Sequence, residues 1–347
     1  MNRDDAVRRS RHLDRRLETM DVRPRSVSEL LEAMGRTGFQ GRSLAGCLDV
    51  LDRMIAERGN TIFLGYSGSM STTGQWKLVQ WLVENRFVDV LVSTGANVSE
   101  DVLEGLGYSY YQGDPATADA ELLEHRIDRY YDVYADELEY RELERFLLEF
   151  MATLDGQRPY SSAEFLHLFG RHQAKRGIDS ITSTAYRCGV PVFSPGIADS
   201  AYGVAAYLLA KERGAGVCLD QLRDFVQLGA VGEGERHSSV IYLGGGVPKD
   251  AVQLVSVMAD LGRGGDDPRP HRYAIQITTD SPQWGGLSGA SLEEAVSWGK
   301  IHPSGEHAVC YCDATIALPL IVHGLLERSP ERRDPPSFDW LFAELGR

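Results

Sequence analysis

The sequence predicts an α/β fold built on a mostly parallel sheet with helices on both faces. Short apolar runs of strand length alternate with longer stretches of helical periodicity, and the runs lack the polar alternation of half-exposed strands. Glycine, serine, threonine or an acidic residue follows nearly every run. Strands that are buried on both faces and separated by helices are typical of parallel sheets covered by helices.

The predicted elements alternate in a regular order. Apolar spacing over residues 30–55, interrupted between Gly35 and Gly41, indicates two helices. Further helices are predicted over 74–85, from about Ser99, over 120–153 and over 161–187. The predicted strands are residues 61–65, 88–92, 191–193, 239–243, 273–277 and 308–312.

Composition and charge narrow the class of protein. The chain has 347 residues, 43% of them hydrophobic and 25% charged, which is enough for one large α/β domain or two smaller ones. Its 36 Lys and Arg against 50 Asp and Glu leave a net charge of −14. That charge argues against a general binder of nucleic acid or anionic membranes and allows a cationic partner.

The termini and cysteines bear on domain organisation and location. An arginine-rich start predicts a basic N-terminal arm over residues 1–20, followed by a single domain over 21–347. The start lacks the apolar core of a secretory signal, and no apolar run has the length of a membrane span. Five scattered cysteines without a CxxC motif favour a reducing compartment, so we expect a cytoplasmic protein.

Ligands bind outside the carboxyl ends of parallel strands, so the segments after the strands are candidate ligand contacts. The glycines of 244–246 would let a phosphate approach the backbone, but a tight strand–helix turn also selects glycine. The hydroxyl-rich loop 67–74 suits either a phosphate or ribose site or a helix cap. Asp199 and Asp313 could bind ribose hydroxyls or an ammonium group, or cap a helix.

Lys300 is a candidate nucleophile. It follows Trp298 and precedes Ile301, and an apolar setting would favour its neutral, nucleophilic amine; a lysine extended along the surface is the alternative. Glu294 could supply a general base or an ammonium partner. No HExxH, GxSxG or Walker motif is present, so nothing indicates a metal enzyme or a triad hydrolase.

These segments resemble the deoxyhypusine synthase family. EAVSWGKI (294–301) is similar to the lysine segment of that family and is highly specific. Other segments match in the same order, and the resemblance covers about residues 60–325. They are TIFLGY (61–66), VDVLVST (88–94) with Glu100 and Asp101, PVFSP (191–195) with Asp199, LGGG (243–246) and YCDA (311–314).

The resemblance implies a Rossmann-like NAD-binding domain of the deoxyhypusine synthase type, acting as an aminobutyl transferase. In that family NAD takes a hydride from a polyamine, the lysine attacks the resulting imine, and a diamine leaves. The butyl-imine then passes to an acceptor amine and the hydride returns. The acceptor is a lysine of the hypusine-bearing translation factor, or putrescine in the related homospermidine synthases. The family forms homotetramers with NAD near subunit interfaces.

The resemblance also implies roles for individual residues. By position, Lys300 is the imine-forming nucleophile, and Glu294 and Trp298 line the amine site. No metal is implied. The implied NAD contacts are Ser69, Thr94, Glu100, Asp199, Gly244, Gly245, Asp313 and Ala314.

The amine pocket departs from the family pattern. Val204 and Leu287 stand where the family has carboxylates, and Asp250 stands in place of a histidine. A buried ammonium that loses its carboxylate partner costs on the order of several kcal/mol. We therefore expect Asp250, Asp280 and Trp284 to rebuild the pocket for another amine or to bind the same amine differently.

The sequence thus predicts an NAD-dependent transferase of alkylamine groups, with a small amine as acceptor rather than a protein lysine. One alternative is a homospermidine synthase or a true deoxyhypusine synthase with a rearranged pocket. Another is a non-catalytic NAD-binding module, which the retention of Lys300, Trp298 and Glu294 disfavours.

Overall fold

A computed structural model describes residues 13–345 of the chain. The helices are α1 (Val27–Gly35), α2 (Phe39–Ala56), α3 (Trp76–Glu84), α4 (Asn97–Gly105), α5 (Asp119–Glu124), α6 (Glu137–Met151), α7 (Ser162–Ala174), α8 (Ile181–Cys188), α9 (Ala201–Arg213), α10 (Gln221–Gly234), α11 (Gly246–Gly262), α12 (Leu292–Ser297) and α13 (Ala314–Arg328). The strands are β1 (Asn60–Tyr66), β2 (Val90–Ser93), β3 (Tyr110–Gln112), β4 (Ile127–Tyr130), β5 (Val133–Asp136), β6 (Pro159–Tyr160), β7 (Val192–Phe193), β8 (Cys218–Leu219), β9 (His237–Leu243), β10 (His271–Thr278) and β11 (Ile301–Tyr311).

Six of the strands form the central sheet, in the order β7-β2-β1-β9-β10-β11. Every pairing in this sheet is parallel. From β1 the chain adds β2 and then β7 on one side, and it later adds β9, β10 and β11 in turn on the other side of β1. The order therefore reverses between β1 and β9, as in doubly wound dinucleotide-binding folds. The predicted α/β class with a mostly parallel sheet is confirmed.

The central strands are apolar because both faces of the sheet are covered. All seven residues of β1 are buried. Leu64 faces a core that includes Leu48 of α2, whereas Phe63 faces a second core that includes Val255 of α11. Successive side chains of a strand point to opposite faces, so a strand between two helix layers needs apolar residues at consecutive positions.

The helix predicted over residues 120–153 is wrong in its middle. The structure has α5 and α6 there, separated by β4 and β5, which pair antiparallel with each other and with β3. Arg126 and Tyr131 have φ values of +55° and +56°, which interrupt helical geometry. Asp136 then accepts a hydrogen bond from the Leu138 amide and begins α6.

The helix predicted over 161–187 is likewise two helices, α7 and α8. Gly177 lies between them with φ +69°, and the Ser180 side chain caps the second helix. The basic arm predicted over 1–20 falls mostly on residues 1–12, outside the described part, and residues 13–20 are exposed. Between residues 13 and 345, no helix combines the length and the apolar character needed to cross a membrane.

A buried ion pair attaches the C-terminal segment to the sheet. The Arg332 guanidinium lies 2.5 Å from the carboxylate of Asp89, and both side chains are almost inaccessible. Arg332 also donates to the carbonyl oxygens of Arg86 and Asn60. Burial raises the pKa of Asp89, while Arg332 and the Ile62 amide act to lower it. The guanidinium therefore compensates a carboxylate that has no access to water.

We expect Arg332→Met to lower the free energy of unfolding by roughly 3–5 kcal/mol, because it leaves the Asp89 carboxylate without its main buried partner. Urea denaturation monitored by circular dichroism measures the change. Arg333→Met is the matched control, since Arg333 pairs with Glu331 on the surface; it should cost less than about 1 kcal/mol. Equal losses in the two variants would contradict a special role for the buried pair.

Candidate active site

Hydrogen bonds join the loops at the carboxyl ends of the central strands. The Ser67 amide donates to the Leu243 carbonyl at 3.0 Å, and the Gly245 amide donates to Ser67 Oγ at 3.1 Å. Ser93 Oγ donates to the Tyr66 carbonyl at 3.0 Å. The loops after β1, β2 and β9 thus form one edge where the strand order reverses, the usual position of a ligand in such sheets.

The glycine turn, residues 244–246, follows β9. Gly244 has φ +71°, and a Cβ on Gly245 would lie 2.3 Å from Cα of Ser288. Turn geometry and close packing therefore require glycine at these two positions. The Gly244 amide donates to the Ile277 carbonyl, so it and the Gly245 amide are already bonded within the chain. The strand–helix turn proposed as one alternative from sequence accounts for both glycines.

The other residues implied as cofactor contacts lie along the same edge. Ser69 and Asp199 are exposed, and Thr94 is half-buried. Asp313 caps α13 by accepting from the Thr315 amide at 2.7 Å, and Ala314 is the first residue of that helix. The structure therefore gives Asp313 the capping role that was one of its alternatives.

Glu100 is a buried acid next to this edge. Burial raises the pKa of its carboxyl to about 7, against hydrogen bonds from Tyr140 and Tyr130 that lower it. Its Oε2 has no partner among the described residues. The Tyr110 hydroxyl donates to the Glu100 carbonyl at 3.0 Å. The three tyrosines come from β3, β4 and α6, so the antiparallel sheet that sequence patterns missed encloses this carboxyl.

Lys300 lies just before β11, and its side chain is only 12% exposed. Its Nζ is 3.5 Å from Asp250 Oδ1 and 3.4 Å from Gln253 Oε1, both on α11. The Trp298 ring centroid is 5.4 Å from Nζ. The structure therefore brings Lys300, Asp250 and Trp298 together. Polar acceptors on α11 face the amine of this nearly buried side chain, so the structure shows neither the apolar setting nor the surface-extended lysine that the sequence left open.

The remaining predicted pocket residues are more dispersed. Glu294, Asp280 and Trp284 are exposed, and Leu287 is half-buried. Val204 lines a separate shallow cavity with Asp199, Ser200 and Tyr207 on the β7 side of the sheet. Within residues 13–345, no group of three or more His, Cys, Asp or Glu side chains is arranged to hold a metal ion.

Sequence reasoning missed Lys249, which is fully buried in the first turn of α11. Its Nζ donates to Gln276 Oε1, the Leu287 carbonyl and the Ala290 carbonyl at 3.1, 3.2 and 2.5 Å. Burial lowers its pKa to about 8, and the nearby carboxylate of Glu294 acts against that shift. One feature of the sequence could have identified Lys249: it lies three residues after the glycine turn in a chain with very few lysines.

Folded Glu100 keeps a proton that the unfolded chain releases between about pH 4.5 and 7, so we expect Glu100 to contribute a decrease in the free energy of unfolding as pH rises through this range. Glu100→Gln should remove up to about 3 kcal/mol of that decrease. Asp101 contributes a similar term, since burial also raises its pKa to about 7. The difference between wild type and variant, measured by urea unfolding at several pH values, isolates Glu100. Parallel pH curves for the two proteins would contradict the assignment.

Comparison with known proteins identifies the family of the chain. The deoxyhypusine synthase family model matches residues 29–325. A Methanosarcina mazei protein named "Probable deoxyhypusine synthase 2" is 42% identical over 324 residues, covering 92% of this chain and 93% of its own. A protein of the same name from Archaeoglobus fulgidus is 44% identical over 293 residues, covering 84% and 96%. A "Deoxyhypusine synthase-like protein" from Elusimicrobium minutum is 37% identical over 311 residues, covering 88% of this chain and 82% of its own.

A solved structure from Entamoeba histolytica, described as a "putative deoxyhypusine synthase", has the same fold. It superposes with a TM-score of 0.66 at 16% identity and covers 92% of this chain and 100% of its own. The family model covers most of the chain, and the relatives are similar along nearly their whole length. The chain therefore belongs to the deoxyhypusine synthase family and is a transferase of that kind.

Proposed function

We propose that the protein is a cytoplasmic, NAD-dependent transferase that moves an alkylamine group of the aminobutyl type from a polyamine donor to an amine acceptor through an imine on Lys300. The observation that carries the proposal is the position of Lys300. Its nearly buried amine lies near Asp250 and the face of Trp298, and the residue belongs to the segment EAVSWGKI, whose resemblance to the family is highly specific.

The edge between β1 and β9 suits NAD. Buried oxygens of Asn97 and Glu100 have no partner among the described residues and can accept hydrogen bonds from a bound ligand. When bound, NAD would supply the hydride acceptor and later return the hydride. The residues proposed to contact it are Ser69, Thr94, Glu100, Asp199, Gly244, Gly245, Asp313 and Ala314, with the two glycines contributing close backbone contact because their amides are bonded within the chain.

The side chains beside Lys300 can accept its proton and attract a cationic substrate. An ammonium is not nucleophilic, so Lys300 must lose a proton before it attacks, and Asp250 Oδ1 at 3.5 Å is positioned to accept it. The exposed Trp298 face and the Glu294 carboxylate would attract a cationic amine.

The apolar side chains of Val204 and Leu287, where the family has carboxylates, support a small amine acceptor and a donor held differently from spermidine. Asp250, Asp280 and Trp284 are the side chains proposed to contact that amine. A second candidate is transfer to a lysine of a protein, as in true deoxyhypusine synthases. The names of the Methanosarcina and Archaeoglobus relatives favour it.

We also propose a homotetramer in which partner subunits cover the site. Val247, Trp284 and Ile316 follow strands at the carboxyl edge of the sheet, Trp298 lies beside Lys300, and each of these large apolar residues is more than half exposed in the single chain. Exposed apolar groups of this kind are typical of surfaces that another chain covers.

Lys300→Arg should abolish covalent trapping of the transferred group, because arginine keeps the charge but does not form the imine. Purified protein is incubated with NAD and a series of diamines and polyamines, reduced with borohydride, and analysed by peptide mass spectrometry. Wild type should gain a mass on Lys300 that identifies the group. Lys211→Arg, at an exposed lysine of α9, is the matched control and should trap as wild type does.

Adduct formation in Lys300→Arg, or its absence in wild type with every amine, would contradict the imine. The same incubations separate the acceptors. Homospermidine formed from putrescine indicates a small amine acceptor, whereas modification only of an added hypusine-bearing factor indicates the protein acceptor.

The tetramer predicts a solution mass four times the 38.4 kDa of the chain. Light scattering on a sizing column measures it. Trp284→Ser together with Ile316→Ser should shift the protein toward smaller species, since both replace exposed apolar side chains of the proposed interface. A monomeric wild type at micromolar concentration would contradict the proposal.

A further inference from the structure

We infer that Lys249 is a positioning residue, whose buried ammonium fixes the 279–290 loop against the glycine turn and thereby shapes the wall of the amine site. The 279–290 loop follows β10 and carries Asp280, Trp284 and Leu287. The link to the amine site rests on the proposed function. The anchoring of the loop does not.

The Lys249 ammonium donates three hydrogen bonds that hold the loop in place. Two go to main-chain carbonyls at the end of the loop, those of Leu287 and Ala290, and the third goes to Gln276 Oε1 on β10. Lysine has three donors and no acceptor, so it matches three converging oxygens. A neutral amide or hydroxyl side chain at this position offers fewer donors.

Gln276 extends the connection to the glycine turn. Its Nε2 donates to the Gly244 carbonyl at 3.0 Å and to the Ser288 carbonyl at 2.8 Å. Gly245 packs against Ser288 so closely that it has no room for a Cβ. Lys249 and Gln276 therefore hold the turn and the loop in one fixed relation.

The unfavourable burial of the Lys249 ammonium indicates that this interaction has a role. Burying an ammonium is unfavourable, and the lowered pKa of Lys249 reflects that penalty. Its compensation comes from the three oxygens, from the Tyr242 ring 5.8 Å away, and from the charges of Asp250 and Glu294, while Lys300 acts against it. Asp250, one of these charges, also pairs with the Lys300 ammonium at 3.5 Å, so the settings of the two lysines are linked.

Hydrogen–deuterium exchange of Lys249→Met tests the anchoring. Methionine keeps the length and apolar stem of the side chain but has no donor. The reporters are the Gly289 and Ala290 amides, which donate to the Gly286 and Leu287 carbonyls. We expect protection in the loop to fall by about tenfold or more, with protection in β9 within about twofold of wild type.

Two further variants make the comparison decisive. Lys211→Met removes an exposed ammonium and should leave loop exchange unchanged. Lys249→Gln keeps a donor group and should fall between wild type and Lys249→Met, and it replaces the latter if methionine prevents folding. Wild-type protection, corrected for intrinsic exchange, should also decline above about pH 8, where Lys249 loses its proton. Unchanged loop protection in both Lys249 variants would overturn the inference.

Borohydride trapping connects the loop to the site. Lys249→Met should form at least about tenfold less adduct on Lys300 at limiting amine and recover part of it at saturating amine, as expected for misplaced substrate contacts. Equal trapping in a variant with a loosened loop would overturn the positioning role. If wild type itself forms no adduct, the proposed function fails, and the exchange data still decide whether Lys249 anchors the loop.

Discussion

The pairing of β1 with β2 on one side and β9 on the other is the constraint on which the site depends. Leu64 pairs with both Leu91 and Ile241, so the three strands run in register and end at nearly the same level. Their loops then meet, and a serine from one loop can bond the backbone of another. A shift of register by one residue would turn every side chain of β1 to the opposite face and separate these loops.

The edge of the sheet accumulates polar groups whose burial is unfavourable. Burial raises the pKa values of Glu100 and Asp101 and lowers that of Lys249, and all three lie next to the carboxyl ends of the strands. Acids and bases with shifted pKa values concentrate at functional sites, although burial also raises the pKa of Glu235 at the opposite end of the strands. By contrast, the buried pair of Asp89 and Arg332 attaches the C-terminal segment and has a structural explanation.

Sequence patterns worked best where one physical requirement dominated. The strands of the central sheet must be apolar at successive positions, so five of the six were located to within two residues, whereas β11 begins seven residues before its predicted start. The region from Tyr110 to Asp136 was harder, because its strands are short, half-exposed and rich in charged residues that also suit helices. Arg126 and Tyr131 have positive φ values and form the turns there, and neither residue type is one that sequence patterns associate with a positive φ.

The sequence by itself determined the parallel α/β architecture, the family, and the candidate status of Lys300, because periodicity and a specific segment are local properties of the chain. Only the tertiary structure decided which groups meet that lysine, placing Asp250 and Gln253 beside it instead of an apolar wall. It also decided the role of Lys249, whose partners lie 27 to 41 residues away. Two of those partners are main-chain carbonyls, which every residue has, so no sequence pattern could mark them.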